Sequence, residues 1–354
     1  MRLLHLVNVR WFNATAWYAL NLAWIQKLKG HDVVVASIKN SPVIKKARQL
    51  GIETLECDFN SNNPIKLYKA IYSYAGTVKR FNPHIVNCHR GEFFFVPAMR
   101  RIFNKTPIVI RFRGDIRAPK KGRINKILHK KGSDYIITSG AFIKEYYIRY
   151  LNISLDKITT IYGGVDTSKF KRDIYKRKLE RLKLGYEDNN YAIAIVGRFD
   201  PIKGHKFLIE AIKDLYYLHN KKKVRLIIAG VDSVLKKESI EKLVNENRIA
   251  DITTFIPFRI DIESVYNAAD LLVVPSLGSE AICRVAMEAM ACKTPVIGSN
   301  TGVIPEILPV NNIFKKSNSK DIVNKIIAHS EKVKIFPINE LYKKYMYVVE
   351  KLLN

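Results

Sequence analysis

Residues 278–306 read GSEAICRVAMEAMACKTPVIGSNTGVIPE, and the rest of the chain is organised around them. The apolar run Leu271-Leu272-Val273-Val274-Pro275 leads in. A polar turn, a helix pattern and a second apolar run, Pro295-Val296-Ile297-Gly298, follow, and Pro305-Glu306 closes the stretch. Strand, helix and strand in that order make a βαβ unit, and open α/β sheets bind ligands beyond the carboxyl ends of such strands. Glu280 and Glu288 are eight residues apart. On one helix they would differ by about 80°, so they need not share a stripe. The simpler expectation puts Glu280 in the loop and Glu288 two turns into the helix, both looking into the crevice. Ala281, Ala286, Ala289 and Ala291 let the helix sit close to the sheet. Its free N–H groups suit a phosphate. The bland alternative for two glutamates is a solvated helix face.

Composition bounds the answer. A chain of 354 residues, 47% of them hydrophobic, is long enough for two α/β domains with sizeable cores. The net charge of +28 calls for a partner or surface of opposite sign. Cys57, Cys88, Cys283 and Cys292 have no metal or disulfide spacing, which fits a reducing compartment. The opening residues Met1-Arg2-Leu3-Leu4-His5-Leu6-Val7 pattern as a short strand and not as a signal peptide. No apolar stretch is long enough for a membrane span. A cytoplasmic protein is therefore expected.

Apolar runs alternate with helix-length segments, the pattern of stacked βαβ units. In the first half the runs are 3–7, 33–37, 85–88, 108–112, 135–138 and 158–161. In the second they are 192–196, 225–229, 253–256, 271–274 and 296–298. The break falls in a basic and then polar segment between Gly163 and Asn190.

One further motif carries chemistry. Gly197-Arg198-Phe199-Asp200-Pro201-Ile202-Lys203-Gly204 follows a strand and precedes a helix pattern. Two cations five residues apart on such a loop can clamp a diphosphate from two sides. A basic surface loop is the plain alternative.

The E-x7-E spacing, with A-M-A-C-x-x-P-V-I-x-S and then P-E after it, resembles the donor-binding signature of retaining glycosyltransferases of family 4. The G-R…K-G loop resembles that family's phosphate-binding motif, and Ile161-Tyr162-Gly163-Gly164-Val165-Asp166 resembles the end of its first domain. The resemblance is strong over residues 192–308 and weak over the first 150. It implies the GT-B fold: α/β, two Rossmann-like doubly wound domains facing a central cleft. It places an acceptor-binding domain at 1–168 and a nucleotide-sugar donor domain at 169–335. A last helix, within 336–354, returns to the first domain.

The resemblance also implies roles. Arg198 and Lys203 bind the donor phosphates and act in catalysis. Glu280 contacts or orients the donor sugar, and Glu288 accepts the ribose hydroxyls. Gly197, Ala281, Ile282 and Cys283 complete the donor site. Ala281-Ile282-Cys283-Arg284 stands where the family often has an aromatic residue and glycine, which leaves sugar identity open. Lys293 stands where glycine is usual, at a helix C-terminus where a cation suits the dipole.

The first domain is less standard. Asn13 or Thr15 caps the first helix, and its N-terminus either only ends there or also receives phosphate or sugar oxygens. Arg113 and Asp115 replace a His-Asp pair common among relatives. His89 is either a structural histidine or reaches the acceptor. Residues 100–131 hold twelve Lys or Arg and one acid, Asp115. They are solvated cations or a surface for anionic lipid. Nucleic acid is the less favoured rival, since no matching motif accompanies the charge.

The expectation is thus a metal-independent, cofactor-free retaining hexosyltransferase. Its donor is a nucleotide-diphosphate sugar and its acceptor an anionic glycolipid or saccharide. The SEAICR form is similar to enzymes of lipopolysaccharide core assembly, which implies a peripheral enzyme on the cytoplasmic face of the inner membrane. The alternatives are a GT-B sugar-nucleotide epimerase and a non-catalytic binder of anionic lipid or RNA.

Overall fold

The structure is a computed structural model and describes residues 1–57 and 63–353. Chain contacts divide it into two compact units, Met1–Gly164 with Ile338–Asn354, and Val165–Pro337. Each is built on one wholly parallel sheet.

The first unit's strands are β1 (Arg2–Leu6), β2 (Asp32–Ser37), β3 (Glu53–Glu56), β4 (Ile85–Cys88), β5 (Ile108–Arg113), β6 (Tyr135–Thr138) and β7 (Ile158–Thr160). They lie in the order β3-β2-β1-β4-β5-β6-β7. The central strands are near-continuous apolar runs because helices cover both faces of a parallel sheet. Leu3, Leu4, Val35, Ile85, Val86 and Ile110 are fully buried. β3 reads Glu-Thr-Leu-Glu and was not legible as a strand. It sits at the sheet edge, where polar residues are tolerated and useful.

The second unit's strands are β8 (Tyr191–Arg198), β9 (Val224–Val231), β10 (Thr253–Pro257), β11 (Leu271–Val274), β12 (Val296–Ser299) and β13 (Ile313–Phe314). Their order is β10-β9-β8-β11-β12-β13. β13 is a two-residue edge strand, too short to leave a pattern in the sequence. Both sheets therefore reverse strand order beside their first strand, at β1/β4 and at β8/β11, the place where open α/β sheets bind ligands.

The chain crosses back once. The helix Ile338–Leu353 buries Ile338, Leu341, Tyr345, Val348 and Val349 within the first unit and packs on the helix Ala14–Leu28. A side chain at Gly164 would collide with Ile338 and Leu341, so the crossing requires glycine there.

Candidate functional site

In the second unit, the loops after β8, β11 and β12 are joined into one floor. The backbone N–H of Leu277 donates to the Ile202 carbonyl at 2.7 Å, and that of Val303 to the Glu280 carbonyl at 2.8 Å. Gly204 (φ +71°) and Gly302 (φ +57°) occupy left-handed conformations. A Cβ at either would run into the carbonyl oxygen of Pro275 or Glu280. These glycines allow three backbones to meet.

Two glutamates are set into this floor. Glu280 lies in the loop after β11 and is 5% exposed. Its Oε1 accepts from Lys203 Nζ at 2.5 Å and from Ser276 Oγ at 2.7 Å. Glu288 is the fifth residue of the helix Arg284–Ala291, one turn in rather than two, and is 3% exposed. Its Oε2 accepts from Tyr266 Oη at 3.0 Å, and Arg284 Nε stands 3.4 Å from its Oε1. Burial pushes the Glu288 carboxyl above the ordinary range, against the opposing pull of Arg284 and Tyr266.

Lys203 and Arg198 are not equivalent. Lys203 closes a 3-10 turn whose start is capped by Asp200, with Ile202 N donating to Asp200 Oδ1 at 3.0 Å. Its ammonium already neutralises Glu280. Arg198 is 61% exposed in its side chain and only 3.6 Å from Asp200, so it can swing to an incoming ligand. The structure thus holds Lys203 on a buried carboxylate and leaves Arg198 in a longer, exposed pair with Asp200.

Gly197 lies against β9, where a Cβ at Gly230 would strike its carbonyl oxygen. Ala281, Ile282 and Cys283 are buried, so a ligand would meet their backbone and not their side chains. Cys283 has φ +53° and Lys293 φ +63°, both in the region that favours glycine. Ser276 and Tyr266, which hold the two glutamates, were missed by sequence reasoning. Ser276 had a weak signal, a hydroxyl just past a strand. Tyr266 had none, because it reaches Glu288 from the separate helix Ile262–Ala268.

The first unit distributes its expected residues differently. Asn13 caps the first helix, accepting from Ala16 N at 3.1 Å. Thr15 does not cap; its Oγ1 donates to the Gly114 carbonyl at 3.3 Å and ties that helix to the loop after β5. His89 does not stand at a surface where it would reach an acceptor. It is 2% exposed, stacks on Phe112 and lies 3.0 Å from His5 Nδ1 through its Nε2. Burial and the neighbouring His5 and Arg111 keep it neutral, well below the usual histidine range. The same buried network includes Gln26, Asn87 and Tyr345.

Arg113 and Asp115 do come together, 4.0 Å apart, with Arg90 and Arg117 beside them. Burial opposes ionisation of Asp115, but hydrogen bonds from Arg117 and the charges of Arg113 and Arg117 prevail and hold its carboxyl at about 2. Of the twelve cations in 100–131, Arg111 is buried and Arg101 is ion-paired with Asp134. The basic surface is smaller than the residue count.

The sequence model of the family described as Glycosyltransferase Family 4 matches residues 15–169, and that described as Glycosyl transferases group 1 matches residues 176–334. Among solved structures, Anabaena HepE in complex with UDP superposes with a TM-score of 0.84 at 16% identity, covering 99% of this chain and 100% of that one. This chain has the GT-B glycosyltransferase fold. WaaG, a glycosyltransferase involved in lipopolysaccharide biosynthesis, shares the GT-B frame with a TM-score of 0.65 at 15% identity, covering 97% and 94%. At such identities the likeness is one of fold. A D-inositol 3-phosphate glycosyltransferase of Segniliparus rotundus is 30% identical over 196 residues, 54% of this chain. The match spans 42% of that relative's length. The half of the GT-B chain that looked less standard as a sequence is the one that the Family 4 model matches.

Proposed function

We propose that this protein moves a hexose-like sugar from a nucleotide diphosphate to a hydroxyl, with retention, in the manner of family 4. The observation that carries the reading is the Lys203–Glu280–Ser276 cluster at the carboxyl ends of β8 and β11, with the exposed Arg198 beside it in a 3.6 Å pair with Asp200. An arriving diphosphate is taken by Arg198, and Lys203 exchanges Glu280 for a phosphate oxygen. Glu280, still held by Ser276, is released to hydrogen-bond the sugar. As the glycosidic C–O bond breaks, negative charge grows on the diphosphate, and fixed cations stabilise it. The departing phosphate oxygen takes the proton of the attacking hydroxyl on the same face. Arg198 and Lys203 supply the positive charge the leaving group calls for, so no metal or other cofactor is invoked. Glu288 takes the ribose hydroxyls on the oxygen facing Arg284, while Tyr266 anchors the other.

The UDP complex of a GT-B neighbour supports the donor class, and WaaG supports an acceptor of the lipopolysaccharide or cell-envelope class. The short helices Phe95–Phe103 and Arg123–Lys131 pack together and expose Phe95, Met99, Phe103, Ile124 and Ile127 among lysines and arginines. Exposed apolar residues set among cations suit an anionic bilayer surface. Among the described residues no helix is long and apolar enough to cross a membrane, so the attachment proposed is peripheral, on the cytoplasmic face.

A thermal-shift screen of nucleotide diphosphates and their sugars tests the donor, since a ligand binding the folded state raises stability by mass action. The expected result is a shift with one diphosphate, lost in Arg198→Ala. No shift with any of them overturns the donor site. For the membrane, Lys120, Lys121 and Arg123 changed together to Ser are expected to reduce sedimentation with anionic liposomes. Unchanged sedimentation, or salt-sensitive RNA binding that displaces liposomes, overturns the lipid surface.

A further inference from the structure

The carboxyl ends of β4 and β5 carry more positive charge than their own acids balance. Strand register pairs Cys88 with Arg111, so Arg90 and Arg113 leave the sheet side by side. Arg90 and Arg113 each stand 4.0 Å from Asp115, and Arg117 grips its Oδ2 at 2.6 Å. Glu92 takes Arg90 at 2.6 and 3.0 Å. Three guanidinium groups thus share two carboxylates, and Arg111 adds a fourth cation that pairs with neither.

Arg111 makes the imbalance structural. It is 1% exposed, lies over the Phe94 ring and donates to the carbonyls of Cys88 and Phe112. Among the described residues it has no carboxylate partner, and its Nε has no hydrogen-bond partner. Arg113 Nε is likewise buried and, among the described residues, unpartnered. Buried, uncompensated cations are costly, and planar guanidinium forks match oxyanions with two hydrogen bonds. The N-terminus of the helix Ala14–Leu28 is tethered to this loop by Thr15, adding positive partial charge at the same place.

We infer that Arg90, Arg113 and Arg117, backed by Arg111, form an oxyanion site that takes a phosphate or carboxylate of the acceptor. That the ligand is the acceptor rests on the glycosyl-transfer reading; binding of the oxyanion does not. Two sources share this chemistry, a sugar phosphate in solution and a phosphorylated headgroup in a bilayer.

Hydrogen exchange read by mass spectrometry on the full chain tests the site. Glucose 6-phosphate, or phosphatidylcholine vesicles carrying phosphatidate, is expected to protect segments 88–92 and 111–117. Glucose and plain phosphatidylcholine are expected not to. Protection by the sugar phosphate alone supports a soluble acceptor, and by the vesicles alone a lipid one. Arg90→Gln and Arg113→Gln should each weaken the effect about tenfold. Arg117→Gln, at a side chain 75% exposed, should weaken it about threefold with the fold intact and keeps the test decisive if Arg113→Gln does not fold. Asp115→Asn should tighten binding about threefold, because it removes a competing negative charge. Silence of both segments with both probes, or protection that survives Arg90→Gln and Arg117→Gln, overturns the site. So does weaker binding by a folded Asp115→Asn. Protection of 197–204 and 276–288 by a nucleotide diphosphate reports the donor reading separately. That signal with silent arginine loops overturns this site alone, and the converse overturns the donor reading alone.

Discussion

The two switch points of this chain share a topology and use it differently. At β1/β4 the polar residues lie within the strands themselves: His5 opposes Asn87 across the ladder, and both are fully buried. At β8/β11 the paired residues are Ile193 with Leu271 and Ala194 with Leu272. There the polar groups Lys203, Ser276 and Glu280 lie in the loops beyond the strand ends. Polar groups inside a parallel sheet must find partners inside the protein. His5 finds Gln26, Asn87 and His89, and Asn87 receives Tyr345 from the returning helix. Groups beyond the strand ends remain able to exchange a protein partner for a ligand. The lesson is that the same place in a fold serves as a clasp or leaves polar groups open to a ligand according to which side of the strand terminus its polar residues fall.

The largest effect that would break this contrast is on turnover. Glu280→Gln and Lys203→Ala are each expected to lower kcat about 10²-fold, as loss of a fixed transition-state contact does. Because Lys203 is ion-paired with buried Glu280, Lys203→Ala should also cost about 1–3 kcal/mol in urea unfolding. Near-wild-type turnover in either variant would remove the cluster from the chemistry.

Acid should act on the other switch point. Burial holds His5 at about 4, below the ordinary 6.5, with the Gln26 bond opposing the shift. Its folded pKa is depressed, so the unfolded chain binds the proton more readily. The stability it confers is complete above about pH 6.5 and lost as pH falls toward about 4, at most about 3 kcal/mol. Urea unfolding across that range should show a decline to which the buried His89, His129 and His205 also contribute, and His5→Gln should make it shallower. A wild-type profile already flat over this range would mean that the network is not a neutral imidazole pair.

Tyr345→Phe strips Asn87 Oδ1 of a donor 3.1 Å away and should cost about 2 kcal/mol. Exchange protection should fall first in Ile338–Leu353. Ser276→Ala removes a donor from buried Glu280 and should lower kcat and also cost about 1–3 kcal/mol of stability. Glu288→Gln is expected to raise the donor KM about tenfold at nearly constant kcat, since a ribose contact serves ground and transition states alike. A dominant kcat loss would place Glu288 at the reacting sugar. The smallest effect is at Lys293, whose φ of +63° suits glycine. Lys293→Gly should raise stability by about 0.5 kcal/mol, the left-handed strain relieved exceeding the lost dipole contact.

Much of the second unit was legible because its information is local. The β8, β11 and β12 runs, the Arg198-to-Lys203 loop and the Glu280-to-Glu288 spacing each lie within a short window. Apolar period and turn residues announce the strands and loops, and the resemblance to family 4 picks out the charged residues on them. The edge strands β3 and β13 were not legible, since edges carry no apolar obligation. In the first unit the sequence offered single residues, Asn13, Thr15, His89, Arg113 and Asp115, without a periodic context to rank them. Asn13 proved a cap and His89 a member of the core.

By itself, then, the sequence determined the alternation of strands and helices, the two sheets, and the strand ends where chemistry would sit. Burial of apolar runs in water requires these and needs no knowledge of distant contacts. Only the tertiary structure decided which cations are held by buried groups. Lys203 meets Glu280 across 77 residues, Tyr266 meets Glu288 from another helix, and Tyr345 meets Asn87 across 258. Charge and hydrogen-bond partnership depend on distances of a few ångströms that parallel crossovers set between residues far apart in the chain, and no local pattern encodes them.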